Sequence, residues 1–142
     1  MSRPLGPDAC RLLDGRNIAH LATLMPDGAP KVEPVWVQRE GDLVLVATDA
    51  RSIKATNTTG DPRVALSVTA ADDPYDQLLI RGRVVEVRCD DEMVVLDRLA
   101  VRYLGRAFPR RRWSGRIVLV IEADIARAYR SPLSQHAPRR QP

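Results

Sequence analysis

Cysteine is scarce in this chain. Cys10 and Cys89 are the only two, far apart, and neither falls in the spacing of a metal site or a redox pair. A disulfide framework is therefore not expected, and two free thiols fit a reducing compartment. Lysine is equally scarce, with only Lys31 and Lys54. Arginine thus supplies nearly all the positive charge of a chain whose net charge is +4. Its planar fork suits phosphate and carboxylate, although codon usage in a GC-rich genome would give the same excess. No nucleic-acid reading motif accompanies the arginines, so a nucleic-acid partner is not expected. No apolar run reaches the roughly 18 residues of a membrane span, so no membrane partner is expected. Residues 1–7 contain no apolar signal core, which points to a cytoplasmic location. No Ser-His-Asp arrangement, no paired carboxylates in helix register and no metal-ligating cluster occur, so no metal is expected and no catalytic side chain can be named.

What the chain does have is apolar residues, 44% of its 142 positions, enough for one packed domain. Residues 1–130 read as that domain and 131–142 as a polar, proline-rich tail outside it. Residues 7–15 fit a short helix burying Leu12 and Leu13 and ended by Gly15. Residues 18–24 form a β-like run, Pro26-Asp27-Gly28 is a turn, and residues 31–37 alternate, with Val32, Pro34 and Trp36 on one face and Glu33, Val35 and Val37 on the other. After a turn at Glu40-Gly41-Asp42, residues 43–48 give a third strand and residues 52–59 a short helix. Residues 63–69 make a fourth strand, 70–76 a polar loop, and 77–87 a long fifth strand in which Gly82 marks a bulge or a close backbone approach. Residues 90–104 are the clearest helix, capped by Asp90 or Asp91, with an apolar stripe through Val95, Leu96, Leu99, Ala100, Tyr103 and Leu104. A basic loop, 105–115, leads to a last strand, 116–128, apolar enough to be buried on both faces. About six strands joined by hairpins predict a mainly β fold with a few helices, an antiparallel barrel.

The best candidate site is Thr48-Asp49-Ala50-Arg51-Ser52-Ile53-Lys54-Ala55-Thr56-Asn57. A strand ends at Thr48 and a helix begins near Ser52, so Arg51 and Lys54 stand at the positive end of that helix. Free N–H groups at a helix start bind phosphate, and two cations beside them tighten the grip. Ser52 can cap the helix or donate its hydroxyl. Taken alone, this pattern also describes an ordinary capped surface helix. His20, between apolar strand neighbours, reads as a neutral, hydrogen-bonded residue at a barrel rim. Trp36 either fills core or lines a site. Trp113 either lines a pocket mouth or anchors its loop.

The succession Ala22-Thr23-Leu24, Asp27-Gly28-Ala29-Pro30 and Pro34-Val35-Trp36 resembles the start of the pyridoxamine-phosphate-oxidase-like split-barrel family. Lys54-Ala55-Thr56-Asn57, Asp61-Pro62-Arg63-Val64-Ala65 and Ile80-Arg81-Gly82-Arg83-Val84 match its later landmarks in order. The resemblance implies a six-stranded split barrel of the FMN-binding type. It also implies a homodimer with cofactor sites at the subunit interface. The strand holding Pro34, Val35, Trp36 and Val37 would lie along the cofactor ring. The segment from Thr48 to Asn57, with Arg51, Ser52 and Lys54, would hold its phosphate, and Tyr75 and Gln77 would lie near the ring or phosphate tail. The wording around Trp36 is most similar to the branch using the deazaflavin coenzyme F-420. That branch implies an oxidoreductase moving a hydride between F-420 and an unsaturated or conjugated small molecule. FMN in the same fold, or a non-catalytic F-420 or flavin carrier, are the alternatives. In the F-420 case Arg110-Arg111-Arg112 could meet the coenzyme's polyglutamate tail; otherwise it is a solvated face. Members that oxidise pyridoxamine phosphate end in an arginine-rich motif. Here the stretch reads Ala128-Tyr129-Arg130-Ser131-Pro132, so that activity is not expected.

Overall fold

The computed structural model describes residues 4–133. Most of the expected tail lies outside those residues. Helix α1 (Pro7–Asp14) starts on a proline, whose fixed φ suits a first helical turn, and buries Leu12 and Leu13 completely. Burial of each such side chain stabilises the fold by about 1.5–3 kcal/mol. Strands β1 (Ala19–Leu24) and β2 (Pro30–Val35) form the expected hairpin, with Gly28 at φ +87° in its turn.

The alternating run does not continue as one strand to Val37. It breaks at Trp36-Val37, and a short β3 (Gln38–Glu40) follows. Among the described residues seven strands therefore replace the expected six, in one antiparallel sheet ordered β2-β1-β5-β6-β7-β4-β3. The remaining strands are β4 (Leu43–Asp49), β5 (Arg63–Ala70), β6 (Asp73–Cys89) and β7 (Arg116–Arg130). The order explains the break. β2 and β3 are the two outermost strands of the sheet, yet only two residues join them. That link spans at most about 11 Å, whereas strands in a sheet lie about 4.8 Å apart. The sheet must curl until its edges meet. The barrel is closed covalently at Trp36-Val37 and split alongside.

The expected polar loop at 70–76 is also corrected. β5 runs to Ala70 and β6 begins at Asp73, so Tyr75 lies within the strand that was expected to begin at Gln77. Asp76 is the reason the stretch looks polar yet is ordered. It is buried and binds Arg11 (2.9 and 3.1 Å) and Arg130 (2.9 Å), tying α1 to β6 and β7. Gly82 marks both things expected of it. The β6–β7 register shifts between Arg81 and Gly82, and a β-carbon there would run into the Glu122 carbonyl oxygen.

β7 is buried on both faces at its start. Leu119 and Ile121 fill the barrel, while Val118 and Val120 pack with Leu45 and Val95 outside it. Val95 belongs to α3 (Val94–Leu104), which covers that outer face and also buries Leu96, Leu99, Ala100 and Tyr103; Leu104 stays exposed. α3 begins later than expected, because Met93 sits at φ +62° just before it. Asp90 still caps it, accepting from the N–H groups of Val95 and Leu96, both at 3.0 Å. Helix α2 (Ile53–Gly60) packs beside β1.

Candidate functional site

The split in the barrel opens onto a cleft of about 360 Å³. Its floor is β4 and β7, through Ala47 and Arg116. One wall is the end of β2 (Pro34, Val35, Trp36) with Lys54 of α2, and the other is α3 (Leu96, Leu99) with the loop after it (Phe108, Trp113). Asp97 on α3 holds that loop in place. It accepts from the Phe108 N–H at 3.0 Å and pairs with the Arg111 guanidinium at 2.8 and 2.9 Å. The loop in turn brings Phe108 within 6.3 Å of Trp36 and 5.7 Å of Trp113, ring centre to ring centre. Aromatic faces thus line the cleft from β2 to the foot of β7. Trp113 does both things expected of it, since its Nε1 also donates to Asp49 at 2.8 Å.

Trp36 is half-buried and lines the cleft, with Tyr103 stacked behind it. Val37 is turned away. It is fully buried, its N–H donates to the Tyr103 hydroxyl and its carbonyl accepts from Arg102. The Tyr103 hydroxyl donates to the Asn17 carbonyl at 2.7 Å. Burial pushes the Tyr103 phenol above its ordinary range, so it stays protonated.

At the start of α2, Ser52 is the N-cap. Its Oγ accepts from the Ala55 N–H at 3.2 Å and from the Thr48 hydroxyl at 2.9 Å. Its own hydroxyl hydrogen is left to donate. Both cations carry carboxylates. Lys54 reaches Glu33 at 3.3 Å, and Lys31 reaches the same carboxylate at 2.9 Å. Burial alone would raise the Glu33 carboxyl, but the two ammonium groups hold it below its ordinary range. Arg51 folds back on Asp49, is 78% exposed and is absent from the cleft lining. Its hydrogen bonds hold the Asp49 carboxyl far below the usual range.

The structure therefore brings together Pro34, Val35, Trp36, Lys54 and, beside them, Thr48 and Ser52. It does not bring Asn57 there. Asn57 is buried and donates to Thr23 at 3.0 Å and to the Met25 sulfur, fastening α2 to β1. Tyr75 and Gln77 lie opposite the far end of β7, where Gln77 faces Tyr129. At about 3.3 Å per residue that is about 40 Å of strand from Arg116. His20 is exposed and lines a different groove, about 460 Å³, on the outer face of the sheet with Val32 and Leu79. Of the basic run, Arg111 is spent on Asp97 and Arg110 stacks over Trp113 at 4.1 Å.

Sequence reasoning missed Arg116 and Phe108. Arg116 had a signal: it is a charge at the head of a strand read as buried on both faces.

A split antiparallel barrel with a ring-lined, cation-bearing cleft at its seam defines a class of small-ligand-binding barrels. The chain belongs to the pyridoxamine 5'-phosphate oxidase family, whose model matches residues 7–130, and that is a family of flavin-type oxidoreductases. Among solved structures it is similar to an F-420 reductase, at 29% identity and a TM-score of 0.79, over 88% of this chain and 98% of that one. It shares the fold of a conserved hypothetical protein from Mycobacterium tuberculosis (21% identity, TM-score 0.71, 99% and 92% of the two chains). It also shares the fold of General Stress Protein 26 from Bacillus anthracis (20%, 0.68, 86% and 91%). No curated protein matches the sequence.

Proposed function

We propose that the cleft binds a flavin-type cofactor, coenzyme F-420 in first place and FMN in second, and that the protein is an oxidoreductase acting on an unsaturated or conjugated small molecule. The observation that carries this reading is the convergence of aromatic walls with Lys54, at the start of α2, in one cleft. The donor set fits a ring that bears a phosphate. Ser52 has a hydroxyl hydrogen to give, and the first N–H groups of α2 lack intrahelical partners. Lys54 supplies charge, and Thr48 orients Ser52. Arg51 would have to leave Asp49 to join them. β2 is an edge strand, so the outer backbone edge at Pro34 to Trp36 is available to a ring's polar edge. When bound, the cofactor supplies the hydride chemistry. The chain's share is to seat the ring against Trp36, anchor its anion and exclude water with Phe108 and Trp113.

Two features support a homodimer within this reading. Tyr75 and Gln77 lie away from this chain's cleft lining, so a role for them there would call for a second copy. The outer groove carries Val32 and Leu79, 65% and 51% exposed, an apolar surface suited to that copy. The 29% identity to an F-420 reductase favours the deazaflavin. The test is direct titration of the purified protein with F-420 and with FMN, followed by oxidation of reduced F-420 with quinones, enones and tetrapyrroles as acceptors. Binding without turnover on any acceptor would favour a carrier, and binding of neither cofactor would overturn the reading.

A further inference from the structure

Arg116 is only 5% exposed, and its Nε is buried without a hydrogen-bond partner among the described residues. Its guanidinium lies 4.3 Å from the centre of the Trp113 ring and lines the floor of the cleft. Buried charge of this kind is costly unless paired, and what lies against it is the Trp113 ring, so the missing hydrogen-bond partner at Nε needs a cause. Asp49 is its register partner on β4, and Asp90 is the other carboxylate whose field reaches it. Both are already committed. Asp49 Oδ1 accepts from the Arg51 N–H (2.8 Å) and Nε (3.1 Å), and Oδ2 accepts from Arg51 Nη2 (3.2 Å) and Trp113 Nε1 (2.8 Å). Those four bonds fill the carboxylate's about four lone-pair sites. Asp90 spends both oxygens on the α3 backbone. Arg110, the remaining charge nearby, is a like charge.

We infer that Arg116 is the oxyanion receptor of the cleft, taking, with Lys54, a phosphate or carboxylate carried on a planar ring. Arg51 touches no ligand; it occupies Asp49 and so keeps Arg116 free. The ring requirement comes from the walls, Trp36, Phe108 and Trp113, and the anion requirement from the floor. The inference deepens the cofactor reading, since the phosphate of a flavin-type cofactor is one source of such a group and a substrate carboxylate is the other.

The test compares wild type, Arg116→Gln and Arg116→Met by calorimetric titration with FMN, riboflavin, inorganic phosphate and benzoate, alongside thermal melts. A lost hydrogen bond to a charged group is worth about 1.5–3 kcal/mol, or about a ten- to hundredfold change in affinity. If the anion is the cofactor's, wild type binds FMN more tightly than riboflavin and Arg116→Gln cuts that preference by about ten- to hundredfold while leaving riboflavin unchanged. If it is the substrate's, the preference survives and benzoate binding is lost instead. Either loss supports the receptor. Arg116→Met removes an uncompensated charge, so it should melt higher than wild type without ligand and gain less from added phosphate. Arg51→Ala should weaken anion binding in the wild-type background and change nothing further in Arg116→Gln. Unchanged affinity for every anion in Arg116→Gln overturns the inference, even if FMN binds. A Met variant that melts lower and keeps its anion affinity also overturns it, by making Arg116 a structural charge. Arg116-dependent binding of benzoate or phosphate without FMN or F-420 binding would sink the cofactor reading and leave the receptor standing.

Discussion

Trp36 lies flat on Tyr103, ring centres 5.3 Å apart and planes within 4° of parallel. The pair joins the strand that leads into the barrel seam to the helix that covers the far side of the sheet. Tyr103 also holds Val37 by its N–H at 3.2 Å, so one side chain fixes both residues of the link between the sheet's two edges.

Tyr103→Phe keeps the stack and removes the hydroxyl. The Val37 N–H and the Asn17 carbonyl then lose a buried partner, which costs about 1–3 kcal/mol. Urea unfolding should show that loss. Cofactor affinity should fall only a few-fold, because Trp36 keeps its packing.

Lys54 and Glu33 should act in opposite directions on anion binding. Lys54→Ala removes a cation from the cleft and should weaken FMN or F-420 binding by at least about tenfold, the scale of one charge-assisted hydrogen bond. Glu33→Gln releases Lys54 from its carboxylate and should tighten the same binding. Equilibrium dialysis at low salt reads both. Tighter binding in Lys54→Ala would remove it from the site.

Asp76 carries a pH signature. The Arg11 hydrogen bond first, then Arg130, outweighs burial and lowers its carboxyl pKa below the ordinary 3.8. A depressed folded pKa means that the stabilisation is complete above about 3.8 and disappears as pH falls through the folded value. Asp76→Asn should therefore cost about 1–2 kcal/mol at neutral pH. The two proteins should converge in stability as the pH drops below that window. A difference that persists in acid would mean that packing, not charge, is what Asp76 provides.

Gly82→Ala tests the close approach of β6 to β7 at their register shift. The new methyl would strike the Glu122 carbonyl and lie 3.1 Å from Ala123 Cα, both backbone atoms that cannot swing aside. Overpacking of this kind should cost about 3 kcal/mol. A melting temperature within a degree or two of wild type would contradict the geometry.

Much of the fold was legible because local chemistry and burial agree. The Pro26-Asp27-Gly28 turn, the Ser52 cap and the Gly82 approach each announce themselves in a few residues. The break at Trp36-Val37 did not, because alternation continues through it. Only the strand order, a tertiary fact, requires the chain to change edges there. The stretch around Asp76 looked like loop because the arginines that satisfy Asp76 are distant in sequence. That Lys54 stands at a helix start was readable from spacing, and that the β2 end shares a cleft with it came from the family resemblance. The role of Asn57 was not readable, since a buried amide fastening a helix and a ligand-binding amide have the same letter. Arg51 stood out because it lies beside a helix start, but its pairing with Asp49 and the buried, unpartnered Nε of Arg116 are set by cross-strand neighbours that the sequence order does not display.

The two-residue join between the sheet's edges makes the cleft a reporter of complete folding. Its lining combines β2, at one end of the sheet order, with β7 and β4 towards the other, so it forms only once the sheet has curled and closed. A ligand gripped there binds the finished barrel alone, and its free energy adds to the stability of every strand at once. Amide exchange should therefore slow across β1 to β7 together when the cleft is filled, as the buckle of a closed belt holds its whole length.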